Sequence, residues 1–276
     1  MSMTVSGFST DSTIVRRPRP EQRPRSETAR SSSQCGPAVI VASLHGRTGK
    51  SLLARVLAEY FLLTGTRPLL FDTDTAERTL HSCFRDDTVV IDVTLVRDQM
   101  TLFDTMAKHA PPARVVDVSH HAFRRFFRVM QDSRFGREAR MCGVEPLIFY
   151  FLDRDPDAYA TALALRARFE DCGLILVDNA YVGRAKEKTR RSAAYGALAG
   201  HDRTIVLPLL GRDIVDRIED GEVSLGELMM RPLSRGDGKL VDGMDFEQRA
   251  ELRNWLVKVF REISRVIRPS QAADAG

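Results

Sequence analysis

The sequence predicts an α/β fold: a single, mostly parallel sheet with helices on both faces. Apolar runs of strand length alternate along the chain with segments of helical period, and strands interleaved with helices of that length form βαβ units. The runs are continuously apolar rather than alternating, which suits strands covered on both sides. No linker interrupts this pattern, so residues 37–269 are expected to form one domain.

The elements follow in order. Residues 38–42, Ala-Val-Ile-Val-Ala after Pro37, form the first strand. Over 51–63, Leu52, Leu53, Val56, Leu57 and Phe61 recur at helical spacing, and Gly65 stops the helix. The second strand, 68–71, runs into Asp72-Thr73-Asp74. A third covers 88–93, followed by a helix over 98–109 with Met100, Leu102, Phe103 and Met106 mostly on one side. Residues 114–118 give a fourth strand and 121–132 a helical stretch. Strands over 146–152, 174–177 and 204–207 complete the series, with a helix over 155–170 between the first two. A final helix over 245–268 repeats Leu252, Trp255, Leu256, Val259, Phe260, Ile263, Val266 and Ile267 on one stripe. Packing on the sheet is the expected use of that stripe; its basic opposite face leaves a membrane surface as the alternative.

Composition bounds the function class. The chain has 276 residues, 43% hydrophobic and 28% charged, ordinary for a globular protein. Six arginines against Asp11, Glu21 and Glu27 place three of the four net positive charges in residues 1–36. The remainder is nearly neutral, unlike a dedicated nucleic-acid binder. That first segment, rich in Ser, Pro, Arg and Thr, is expected to be a disordered arm, and 270–276 a flexible tail. The arm suits phosphates, acidic lipid heads or an acidic partner, or serves only solubility. Cys35, Cys83, Cys142 and Cys172 form no close pair, which argues against a zinc site or disulfide framework and fits a reducing cytoplasm. No apolar stretch spans a bilayer and no secretory h-region is visible, so a cytoplasmic location is expected.

Between the first strand and first helix lies Ser43-Leu44-His45-Gly46-Arg47-Thr48-Gly49-Lys50-Ser51. A strand, loop and helix in this order aim backbone N–H groups and a positive helix end at one spot, which suits an anion with several oxygens. In such a phosphate-binding loop Lys50 reaches the β- and γ-phosphates and the Ser51 hydroxyl holds Mg²⁺. In parallel sheets ligands sit beyond the carboxyl ends of the strands, so Asp72, Asp74, Asp117 and Asn179, which close apolar runs, are expected near this loop.

With those residues in place the chain resembles the ParA/MinD-like ATPases, a P-loop NTPase class with a deviant Walker A loop, and within it the accessory ATPases of plasmid conjugation and maintenance. Gly46, Gly49, Lys50 and Ser51 match the loop, and Phe71-Asp72-Thr73-Asp74 the Asp-x-Asp segment. The resemblance implies ATP held by His45, Gly46, Arg47, Thr48, Gly49, Lys50, Ser51 and Leu52. It puts Ser51, Asp72 and Asp117 at Mg²⁺, Asp74 on the attacking water with Lys50 as the catalytic cation, Asn179 on adenine and Pro208 at the wall of the base. Phosphoryl transfer requires those parts and little covalent help. The chain departs from the family where a loop lysine that crosses to the partner subunit's phosphates is replaced by His45, and the next glycine but one by Arg47. Either Arg47 takes over that charge, or the loop binds nucleotide with weak hydrolysis or dimerisation.

The expected function is thus a Mg·ATP-dependent switch in plasmid transfer, partitioning or cellular positioning, with an ATP-dependent homodimer and an unidentified protein partner. Nucleic-acid contact is an option through the basic arm, and membrane contact is not expected. A nucleotide-sensing adaptor with little hydrolysis, or a small-molecule kinase or ligase on the same fold, are the alternatives. The aromatic and basic run 123–128 is either a nucleotide-responsive partner or nucleic-acid surface or a buried aromatic stripe with solvated arginines. The basic residues Arg184, Lys186, Lys188, Arg190 and Arg191 are expected to be solvated, and His120-His121 has no assigned role.

Overall fold

A computed structural model describes residues 35–110, 112–230 and 243–267. The expected arm, apart from its last two residues, and the expected tail lie outside the described residues. In chain order the elements are β1 (Ala38–Ser43), α1 (Lys50–Leu63), β2 (Leu69–Asp72), α2 (Thr79–Cys83), β3 (Thr88–Val90), α3 (Val96–Ala107), β4 (Arg114–Asp117), α4 (Phe123–Asp132), α5 (Phe135–Met141), β5 (Pro146–Leu152), α6 (Pro156–Arg168), β6 (Gly173–Asn179), α7 (Glu187–Arg190), α8 (Ala193–Leu198), β7 (Thr204–Leu207), α9 (Arg212–Asp220), α10 (Leu225–Met230) and α11 (Phe246–Ile267).

The strands form one seven-stranded sheet in the order β3-β2-β4-β1-β5-β6-β7. Every pairing is parallel, so all carboxyl ends lie on one edge. β1 sits at the centre, with Val41 level with Asp117 of β4 and with Phe149 of β5. Its alternate side chains feed two cores. Val39 and Val41 join Leu53 and Leu57 of α1, Ile214 of α9 and Trp255 and Val259 of α11. Ala38, Ile40 and Ala42 join Phe103 of α3, Phe126 and Met130 of α4, and Ala162 of α6. Both faces of β1 are therefore dry, which explains its unbroken apolar run.

Two alternatives left open by the sequence are settled by burial. Leu252, Trp255, Leu256, Val259, Ile263 and Val266 of α11 are all buried in the first core, so the apolar stripe packs on the sheet. Phe123, Phe126 and Phe127 are buried while Arg124, Arg125 and Arg128 are exposed. Among the described residues no helix is long and apolar enough to cross a membrane. The third strand is shorter than expected: its partner β2 ends at Asp72, level with Val90, and the chain then turns at Asp92.

Candidate functional site

The edge where the strands end carries the loop 44–49 from β1 into α1. Gly49 occupies the left-handed region at φ 92°, and Arg47 does so at φ 59°. These two residues fold the chain back so that α1 begins at Lys50. No backbone N–H from His45 to Leu52 donates to an acceptor among the described residues, the first loop-to-helix bond being Leu53 N–H to the Gly49 carbonyl. A run of unspent donors at the positive end of a 14-residue helix is what an anion with several oxygens needs.

Lys50 reaches across this edge. Its Nζ lies 3.1 Å from Asp117 Oδ1 and 3.1 Å from Ser51 Oγ, with the Asp117 side chain only 3% exposed. Asp117 ends β4 beside Asp72, which ends β2 at the same level. A buried carboxylate and a hydroxyl thus converge on one cation. Those two hard oxygens fit Mg²⁺, which uses one or two protein oxygens and completes its shell with water and phosphate. Among the described residues no group of three or more His, Cys, Asp or Glu gathers to hold a metal by itself.

Asp72 is differently employed from what the sequence suggested. Its Oδ1 accepts the Asp74 N–H at 2.9 Å, and its Oδ2 accepts those of Leu80 at 2.9 Å and His81 at 3.2 Å. It ties the start of α2 to the sheet, three N–H groups sharing its two oxygens. Burial first, then the nearby Asp117 charge, push its carboxyl up to about 6 despite those bonds.

Asp74 lies closer to solvent. Its Oδ1 accepts the N–H groups of Ala76 and Glu77, and its Oδ2 accepts the Ser119 hydroxyl at 3.0 Å. Partial burial works to raise its pKa, but the Glu77 N–H, the Ser119 hydroxyl, the Ala76 N–H and the Lys50 charge together hold it below the ordinary carboxylate value. It is an ionised anchor for the turn rather than a strong base.

Asn179 is engaged by the loop and by the turn after β6. Its Nδ2 donates to the Thr48 carbonyl at 2.8 Å and its Oδ1 accepts the Tyr181 N–H at 3.1 Å. A Cβ at Gly49 would fall 2.5 Å from the same Nδ2. The amide therefore braces the loop from below, and glycine at 49 is required by space as well as by φ. His45 is also engaged, its Nδ1 lying 2.5 Å from Asp153 Oδ2 just beyond β5. Arg47 is exposed, with no partner among the described residues. At the far end of the edge Pro208 follows β7, and its carbonyl accepts the Trp255 indole N–H at 2.7 Å. A groove of about 510 Å³ opens there, lined among others by Pro208, Leu209, Phe246, Ala250 and Trp255.

Three contributors to this edge escaped the sequence reading: Ser119, Asp153 and His120. Ser119 and Asp153 follow strands whose ends were recognised, so the strand-end signal that marked Asp117 covered them too. His120 lies against Gly46, a contact that no spacing rule reveals.

No family model matches the sequence, and no curated protein matches it. Among solved structures, the chain is similar to a MinC:MinD cell division protein complex of Aquifex aeolicus at 10% identity over 86% of this chain and 98% of that one, TM-score 0.48. It is similar to a ParA family ATPase of Chlorobium tepidum at 11% identity over 80% and 98%, TM-score 0.45. It is also similar to a nucleotide-binding protein of Archaeoglobus fulgidus in complex with ADP, at 12% identity over 69% and 88%, TM-score 0.44.

Proposed function

We propose that this chain is a Mg·ATP-binding ATPase of the ParA/MinD type, acting in the cytoplasm as a nucleotide-dependent switch in plasmid transfer, partitioning or cellular positioning. The observation that carries the proposal is the set of unspent N–H groups from His45 to Leu52 at the start of α1, with the Lys50 ammonium beside them. Phosphoryl transfer is chiefly positioning and charge neutralisation, and the described edge supplies both. With nucleotide bound, Lys50 would reach the β- and γ-phosphates, and Asp117 and Ser51 would hold Mg²⁺. The metal, once bound, neutralises phosphate charge. Asp74, fixed by Ser119 and within the electrostatic reach of Lys50, would orient water. The groove at Pro208, lined by Leu209 and Trp255 as well as by Glu247, Glu251, Asn254 and Lys258, is offered to the base, and Asn179 keeps the loop in shape.

Of the two replacements for the family's loop lysine, the geometry favours Arg47. His45 is bound up with Asp153, whereas Arg47 is exposed and unpaired among the described residues. A guanidinium held outward on the loop is suited to the phosphates of a second copy. ATP turnover and solution mass, measured with ATP and with ADP, test the proposal. Wild type should bind and hydrolyse ATP and grow in mass with ATP alone, and Lys50→Ala should lose all three. A wild type that binds no nucleotide ends this reading.

A second reading is favoured by Asp74, whose two oxygens are both hydrogen-bonded and whose basicity is low. On it the chain binds ATP tightly and signals without turnover. Binding with no phosphate release above background selects it.

A further inference from the structure

We propose that His120 walls the position of the terminal phosphate and makes this site select nucleoside triphosphate over diphosphate. The inference rests on the reading of residues 44–51 as a nucleotide cradle.

His120 stands on the turn between β4 and α4, and that turn is pinned on several sides. Val118 N–H bonds the Val41 carbonyl of β1 at 2.9 Å, Ser119 N–H bonds Thr73 Oγ1 at 2.8 Å, and Ser119 Oγ bonds Asp74 Oδ2. So held, the imidazole lies flat against the loop. A Cβ at Gly46 would come within 3.2 Å of His120 Cε1 and 3.4 Å of each ring nitrogen. The ring also packs against His121, tilted by 40° at a centroid distance of 3.8 Å. The same ring sits within the electrostatic reach of Lys50, Asp74 and Glu77.

These neighbours locate the ring along the polyphosphate. In a loop of this kind the backbone cradles the inner phosphates and the lysine reaches the β- and γ-phosphates. A group that shares Lys50 and Asp74 with the reacting end, and touches the loop at Gly46 rather than at the helix start, faces the outermost phosphate. Burial, then His121, then Lys50 hold the imidazole below its ordinary pKa, so at neutral pH it offers one N–H to an anion. A hydrogen bond to a charged oxygen is made with the third phosphate and is missing with two.

The test compares Mg²⁺ complexes of ADP and of a non-hydrolysable ATP analogue, titrated calorimetrically into wild type, His120→Ala and His120→Phe. Phenylalanine keeps a flat ring against Gly46 and His121 and lacks both nitrogens, so it separates packing from hydrogen bonding. In both variants the triphosphate analogue is expected to bind about tenfold more weakly or worse, with ADP affinity within about twofold of wild type. Equal weakening of both ligands, or no change in either, overturns the assignment of His120 while leaving the nucleotide cradle standing. A wild type that binds neither ligand overturns the cradle and this inference together.

Discussion

Arg47 holds a backbone conformation, φ 59°, that costs a residue with a Cβ about 1 kcal/mol. The family it resembles has glycine there. Arg47→Gly is therefore expected to hold or raise stability, by up to about 1 kcal/mol, yet to weaken ATP-driven self-association, read as solution mass against ATP concentration. Gly49 is the opposite case. Gly49→Ala meets both a φ of 92° and the Asn179 amide, and is expected to cost about 2 kcal/mol or more in denaturant unfolding and to abolish nucleotide binding. Asp72 gives a pH signature. Its carboxyl binds a proton more readily in the folded chain, at about 6, than at the ordinary 3.8. Folding therefore takes up a proton between those values, and the stability tied to this group is present at low pH and lost as pH rises through about 4 to 6. The loss is on the order of 3 kcal/mol. In Asp72→Asn that stretch of the stability–pH profile should flatten, whatever the baseline change from the lost acceptor.

At the scale of elements, what was legible in the sequence were the segments whose signal is carried by their own residues. β5 matches its expected span, and β1, β7 and α11 match to within a residue or two, because a buried strand writes a continuous apolar run and a core helix a periodic one. The short helices α2, α5 and α7 to α10 were not read. α2 has five residues and is held at Leu80 by Asp72, eight positions upstream of that residue across a turn, and α5 follows the left-handed Arg134. Such helices exist through tertiary support, not propensity. The site shows the same division. Lys50, Ser51 and Asp117 follow from motif and strand ends, whereas the bonding of Asn179 to Thr48 and of His45 to Asp153 depends on how three strand ends meet in space. Arg55 shows what a helix can hide. It lies inside α1, buried, and donates to the carbonyls of Ile218 at 2.7 Å and Val223 at 2.9 Å, joining α1 to α9 and the chain after it. Arg55→Ala is expected to destabilise the fold by about 3 kcal/mol, measured by chemical denaturation, because two carbonyls lose their donor in a dry place. ADP affinity of the folded fraction should not move.

On the scale of the whole molecule, β1 and β5 each supply alternate side chains to the two cores. Parallel pairing throughout brings Asp72, Asp117, Asn179 and Pro208 to the same rim of the sheet although they are separated by up to 136 positions in sequence. Trp255, the chain's single tryptophan, is buried in the first core and ties its indole N–H to the Pro208 carbonyl at that rim. The protein thus carries an intrinsic fluorophore wired to the far corner of its own pocket. A purine settling beside Pro208 should shift or quench the emission of that lone indole, so occupancy becomes readable by spectrofluorimetry on the unlabelled chain.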